Sequence, residues 1–289
     1  MSGLENTWRG WRVAVLGAGY VGSAVARSLA ADGAAVWAVS RRPRDFGAGV
    51  VAVAGNLTAG DVPGLPDRLD AVVLAVAPSG AADGYAATYP PAARAAVALA
   101  RASGARALAY TSSTGVYGGR DGAWVDEHSP RLATGGANEA LVEAEDILLG
   151  SGLGGVTVLR VAGIYGPGRD PRPRYAQPGL LPLRGTAWVN LAHRDDIVGA
   201  VRTALVQAGP PRVLNVADGS PVQAADIARW CAAAEGRDPA LLVFDGEAAP
   251  ARSNQRVANA ALVAAGWRAQ YPSFREGFAD GLHEDGGGA

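Results

Sequence analysis

The stretch "RVAVLGAGYVGSAVARSL", Arg12 to Leu29, decides the fold. Its first part is a short apolar run that predicts a strand over Arg12 to Gly17, and the small and apolar residues from Tyr20 to Ala31 predict a packed helix. Between them Gly17, Gly19 and Gly22 are spaced G-x-G-x-x-G. At a strand-to-helix junction each glycine has a mechanical reason. The first allows a tight turn, the second lets a pyrophosphate approach the backbone, and the third lets the helix pack on the strand. The helix N-terminus then faces the phosphates and favours their charge. An ordinary strand-helix turn is the bland alternative in a chain with 40 glycines, but the flanking strand and helix argue against it.

Working outward, further strands are expected at Ala34 to Ser40, Gly49 to Gly55, Ala71 to Val76, Ala107 to Ser113 and Val156 to Gly163. Their nearly continuous hydrophobicity predicts burial on both faces, as in a parallel sheet. Helices are expected at about Pro91 to Ala102 and at Ala137 to Leu149, giving the alternation of an α/β, doubly wound parallel sheet. Beyond Gly166 the rhythm breaks into "GPGRDPRPRYAQPGLLP", whose Pro and Gly cannot continue a regular element. Residues 1–165 are therefore expected to form a dinucleotide-binding domain, completed by parts of 186–218. Residues 166–289 are expected to form a smaller C-terminal substrate lobe and lid, with helices near 195–206, 224–235 and 258–265.

Composition narrows the function classes. Hydrophobic residues make up 49% of the 289, ample for a core. A net charge of −1 with scattered arginines leaves no electrostatic footprint for nucleic acid or an anionic membrane, so a small-molecule substrate is the expected partner. A homodimer is an assembly left open. The single cysteine, Cys231, excludes an internal disulfide framework and points to a reducing compartment, the cytoplasm. The N-terminus has no apolar leader region. The three histidines show no ligand spacing, so no metal is expected. The chain contains no Lys at all, which excludes any mechanism needing a lysine ammonium.

The second strand ends in "VSRRPR", where selection of NAD would place an acid on the ribose 2′-hydroxyl. No acid appears before Asp45. Ser40, Arg41 and Arg42 instead offer a hydroxyl and two guanidiniums suited to a 2′-phosphate, so NADP is the expected cofactor. A solvated pair of arginines is the alternative.

With "GAGYVG", "TSSTGVYGG" (Thr111 to Gly119), "VTVLRVAGIYGPGR" (Val156 to Arg169), "NLAHRDDI" (Asn190 to Ile197) and "LNVAD" (Leu214 to Asp218), the chain resembles the extended short-chain dehydrogenase/reductase superfamily, also called the NAD-dependent epimerases/dehydratases. The matches are collinear over almost the whole chain. The resemblance implies a Rossmann domain carrying the dinucleotide and chemistry on carbonyls or secondary alcohols. It implies that Ser113 holds the reacting oxygen. Along the cofactor it places Tyr20, Val21, Asn56, Leu57, Ala75, Val76, Ala77, Thr111 and Ser112, with Ala162, Gly163 and Ile164 beside the nicotinamide. Tyr165, Arg169, Asn190 and His193 fall where substrate contacts are usual. For His193, packing or capping ahead of the following helix is an equal alternative.

The family's Tyr-x-x-x-Lys pair belongs on the helix containing "GGANEALVEAED", Gly135 to Asp146, where its positions are taken by Ala137 and Leu141. No shift of register restores it, because no Tyr lies between Tyr117 and Tyr165. Glu139, Glu143 and Asp146 share one helical face, which reads as solvated. This loss resembles the atypical branch of the superfamily. One function that follows is an NADP-dependent oxidoreductase, reductase-like, acting on a small carbonyl or sugar-like substrate. Its proton donor would be Tyr117, Tyr165, His128, His193 or water. The other is an NADP-binding protein without hydride transfer, either a sensor or a redox-neutral isomerase or epimerase.

Overall fold

The computed structural model describes residues 7–60, 62–78, 84–119, 121–133, 136–176, 179–246, 254–280 and 282. The chain divides into two compact units. The first comprises Met1–Val116, Leu132–Arg160 and Val198–Leu214, and the second comprises Tyr117–Arg131, Val161–Ile197 and Asn215–Ala289. The return of residues 198–214 to the first unit lies within the expected completion by parts of 186–218, while residues 117–131, expected in the first domain, join the second unit.

The strands are β1 (Arg12–Leu16), β2 (Ala35–Ser40), β3 (Val50–Ala54), β4 (Ala71–Leu74), β5 (Ala107–Ser113), β6 (Val156–Val161), β7 (Gly163–Tyr165), β8 (Leu191–His193) and β9 (Arg212–Val216), with further two-residue pairings. Seven form one sheet in the order β9-β6-β5-β4-β1-β2-β3. The registered pairs β1 with β2, β1 with β4, β2 with β3 and β4 with β5 are all parallel. This is the Rossmann order, with the chain reversing direction across the sheet between β1 and β4, where ligands bind in such folds. Residues 13–16 of β1 and all of β4 are fully buried, as their unbroken apolar runs require.

Helices α1 (Tyr20–Ala31), α2 (Gly84–Ser103) and α3 (Gly136–Leu149) belong to the first unit. Helix α2 begins seven residues before the expected Pro91 and carries Pro90 and Pro91 inside it. The ring of Tyr89, in the turn before them, is buried against Tyr110 at 6.5 Å, which holds the extra turns in place.

In the second unit β7 and β8 form a parallel ribbon, Tyr165 opposite His193. Helix α4 (Arg194–Val206) starts there, followed by α5 (Ala224–Ala234), α6 (Ala260–Ala264) and α7 (Phe274–Asp280). The core of this unit gathers Tyr165, Tyr175, Leu181, Leu183, Ile227, Phe274 and Phe278. The Pro/Gly-rich segment beyond Gly166 lacks long elements, as expected, yet Tyr175, Leu181 and Leu183 anchor it in that core rather than leaving it a free cover. Among the described residues no helix is long and apolar enough to cross a membrane.

Candidate functional site

The glycine loop is built by its own backbone. Gly17 and Ala18 donate their N–H groups to Val39 O, and Gly19 N–H donates to Gly17 O. Gly17 has φ +91°, and a side-chain carbon there would meet Ala75 O at 2.7 Å. A side-chain carbon on Gly22 would sit 2.2 Å from Gly17 O. Both glycines are therefore demanded by the fold. Gly19 differs: its φ is −81°, and a side-chain carbon would meet nothing within 4 Å. No protein atom requires a glycine there, so the open space over the N-terminus of α1 fits the close approach of a dinucleotide pyrophosphate. Tyr20 is half-buried and Val21 buried in the first turn of that helix. Across the loop Ala75 and Val76 are half-buried and Ala77 is exposed, forming a lip at the end of β4.

At the ends of β2 and β3 a cavity of about 450 Å³ is lined by Arg41, Ala54, Gly55, Asn56 and Pro63. Arg41 is the charged residue among the described residues that line it. Arg42 is exposed beside it, and its carbonyl accepts the Ser40 hydroxyl at 2.9 Å. Asn56 Oδ1 accepts the Thr58 N–H and hydroxyl, which caps the short turn at Leu57–Ala59, and Leu57 is buried. A cation missed in the sequence, Arg44, places Nη2 at 3.5 Å from Ala18 O of the glycine loop.

The end of β5 separates two adjacent serines. The hydroxyl of buried Ser112 donates to Glu145 Oε1 at 2.7 Å, and Arg160 forks onto the same carboxylate at 2.7–3.2 Å. Glu145 and Arg160 are almost fully buried, so this charged pair ties α3 to β5 and β6. Ser112 therefore spends its side chain on the scaffold and can meet a cofactor only through its backbone. Thr111 Oγ1 donates to Leu74 O at 3.4 Å. Ser113 Oγ accepts the Gly115 N–H at 3.1 Å, which leaves its O–H directed at no described group. A side-chain carbon at Gly115 would lie 3.2 Å from Ser113 Oγ and 3.9 Å from Asn138 Oδ1. The glycine thus keeps open a space flanked by a hydroxyl and an amide. Asn138 lies next to Ala137, the position of the family's Tyr, and its short polar side chain was the overlooked signal in the sequence.

Glu139, Glu143 and Asp146 are exposed, as a solvated face requires, and Glu143 pairs with Arg94 at 2.7 Å. Glu145 was overlooked, although it stands between Leu141 and Leu148 on the apolar stripe of α3.

In the second unit most residues nominated for chemistry have structural partners. Tyr117 is buried and its hydroxyl donates to Asn215 Oδ1 at 2.6 Å. Tyr165 is fully buried, edge-on to His193 and Phe278, and a side-chain carbon on Gly277 would collide with its ring. Its hydroxyl has no hydrogen-bond partner among the described residues. Burial first, then the nearby Asp218 and Asp196, push its ionisation well above the usual phenol range. A proton donor that cannot be reached is a packing residue, so the catalytic expectation for Tyr165 is corrected. His193 is fully buried against Tyr271, and its Nδ1 accepts the Asp195 N–H at 3.2 Å. It caps α4, the alternative already open for it, in place of touching substrate. Asn190 donates Nδ2 to Gln255 O and accepts the Val257 N–H on Oδ1, both at 2.7 Å, so its amide is a strut instead of a substrate contact. Ala162 is buried, Ile164 is half-buried, and Gly163 and Arg169 are exposed. Two carboxyls nearby are raised by burial, Asp196 to about 6 and Asp218 to about 7. Asp196 accepts the Gln270 and Tyr271 N–H groups, and Asp218 accepts that of Ser220.

The model of the NAD(P)H-binding family matches residues 17–180, more than half of the chain. Protein YeeZ of Escherichia coli K12 is 41% identical over 101 residues, and the aligned stretch spans only 35% of each chain. A functionally unknown conserved protein from Silicibacter pomeroyi superposes with a TM-score of 0.74 at 28% identity, covering 93% of this chain and 96% of that one. A protein assigned provisionally to the NAD-dependent epimerases/dehydratases, from Methylobacillus flagellatus, gives 0.72 at 28% identity with the same coverage. The chain belongs to the NAD(P)H-binding family, and its structural neighbours are epimerase/dehydratase-like proteins.

Proposed function

We propose, on the premise of that membership, that the chain is an NADP-dependent reductase of the atypical short-chain type acting on a small carbonyl or sugar-like substrate. The observation that carries it is the polar pair of Ser113 and Asn138 flanking the space that Gly115 keeps open, while Ser112 beside it is locked onto Glu145. The N-terminus of α1, beside the space at Gly19, would face the pyrophosphate, and Arg41 with Arg42 the 2′-phosphate. NADPH, when bound, supplies the hydride.

Ser113 Oγ–H donates to the carbonyl oxygen, and Asn138 Oδ1, on the other side of the space, accepts from a substrate hydroxyl. The preorganised Ser113 donor stabilises the negative charge that grows on the carbonyl oxygen as reduction proceeds. The tyrosines do not serve: Tyr117 gives its proton to Asn215, and Tyr165 is shut in the core. The proton that completes the alcohol comes from water through Ser113 Oγ. Without a Tyr-Lys base, alcohol oxidation is the weaker direction.

The test is label transfer from 4-deuterated NADPH over a panel of aldehydes, ketones and imines. Deuterium in product, formed about ten- to a thousandfold more slowly with Ser113→Ala, is the expected result. Tight NADPH binding with no label in any product overturns the reductase reading in favour of a protein that binds NADP without hydride transfer.

A further inference from the structure

A cavity of about 480 Å³ in the second unit has no part in the reading above. Two guanidiniums line it, Arg184 and Arg229, together with Thr186, Gln223 and the ring of Phe244. Among the described residues that line it, none is acidic. Arg229 lies over Phe244, 5.9 Å from the ring centroid, and its Nη1 meets Asp226 at 3.1 Å on the helix surface. Arg184 Nε is buried and has no hydrogen-bond partner among the described residues. A buried, charged N–H without an acceptor is costly, so its counterpart is expected from a ligand. Gly185 serves the same cavity, because a side-chain carbon there would come 3.0 Å from Phe244 and unseat the ring.

We infer that this cavity is a binding site for a small phosphate ester whose organic part carries a flat apolar ring. A phosphate monoester carries about −1.5 to −2 charges near neutral pH, enough to engage Arg184 and to share Arg229 with Asp226, where a carboxylate matches one guanidinium. The guanidinium fork of Arg184 supplies parallel N–H donors to phosphate oxygens. Thr186 and Gln223 add neutral donors, and Phe244 offers a face for the ring. The volume lies in the range of small-molecule sites. The site is independent of hydride chemistry and stands or falls without it.

The experiment uses the full chain saturated with NADPH, so that the glycine-loop phosphate site is filled. Phenyl phosphate, inorganic phosphate, benzoate and phenol are titrated by calorimetry. Phenyl phosphate is expected to saturate in the low-millimolar range or tighter, ahead of inorganic phosphate and benzoate, with no binding of phenol. Arg184→Gln is expected to weaken phenyl phosphate at least tenfold, and Phe244→Leu to weaken it while sparing inorganic phosphate. Absence of saturation overturns the site, as does equal affinity of Arg184→Gln. Benzoate binding more tightly than phenyl phosphate overturns the phosphate class. Should Arg184→Gln fail to fold, Arg229→Gln decides, since that side chain is half exposed: weaker binding supports the site and unchanged affinity overturns it.

Discussion

The β1–α1 turn and the β7–β8 ribbon drew attention in the sequence on equal terms, each through residue types that match family positions. Their fates differ. In the turn, the loop amides of Gly17, Ala18 and Gly19 are consumed by the backbone, and the space beside Gly19 stays clear of protein atoms. In the ribbon, Tyr165 and His193 close on each other and on Phe278 and Tyr271, and Asn190 spends both ends of its amide on a neighbouring strand. A polar residue at a family position becomes a binding group only where packing leaves its hydrogen bonds unspent. The same lesson holds over one peptide bond, between Ser112 and Ser113.

The largest effect expected tests the scaffold side of that contrast. Arg160→Met strands the Glu145 carboxylate in the core, at a cost of ~3–5 kcal/mol. Urea denaturation should show it, and an unchanged midpoint would mean that Ser112 is not held by a structural pair.

Next, Ser113→Ala should slow the chemical step about ten- to a thousandfold, as for loss of a transition-state donor. Ser112→Ala should spare that step and cost about 1–3 kcal/mol of stability for the hydrogen bond it breaks. Equal kinetic effects of the two would erase the distinction drawn at the end of β5.

At the turn, Gly19→Ala should leave the melting temperature unchanged and weaken NADPH about tenfold, roughly 1.4 kcal/mol. Arg41→Ala with Arg42→Ala should remove the preference for NADPH over NADH in a fluorescence titration. Equal affinity for the two cofactors in the unmodified chain would sink the NADP assignment.

The ribbon carries its own pH signature. Asp196 is raised to about 6 and Asp218 to about 7, above the roughly 3.9 of an unfolded chain. The folded state therefore holds these protons more firmly than the unfolded state. Stability should fall as pH rises from about 4 through about 7, then level off, with no penalty below about 4 where both states are protonated. Asp218→Asn should flatten that slope in denaturation curves taken across the window. A slope unaltered by the substitution would assign it elsewhere.

The smallest effect belongs to Tyr165→Phe. Its hydroxyl has no partner among the described residues, so removing it should leave stability within about 0.5 kcal/mol or raise it slightly. Turnover should be unaffected. A large loss of turnover would return Tyr165 to the chemistry and break the contrast between turn and ribbon.

Much of the scaffold was legible. The order of strands and helices in the first unit follows from apolar runs alternating with small-residue helices, and only α2 was misjudged at its start. The pairing of Glu145 with Arg160 left a trace as well: one charge on the apolar stripe of α3, another inside the unbroken apolar run of β6. The roles of Asn190 and Tyr117 left none. Tyr117 meets Asn215 across 98 positions, and no local pattern foretells such a partner.

By itself, then, the sequence determined the parallel sheet, the glycine loop at its first strand, the absence of a Tyr-Lys pair and the lack of an acid at the end of β2. These depend on periodicity, on backbone freedom and on which residue types are present, all of which are local. Only the tertiary structure decided which polar side chains remain open, that Ser113 and Asn138 flank one space, and that Arg184 and Arg229 line one cavity. A hydrogen bond is spent or kept according to what the returning chain brings beside it, and that is a property of the packed whole.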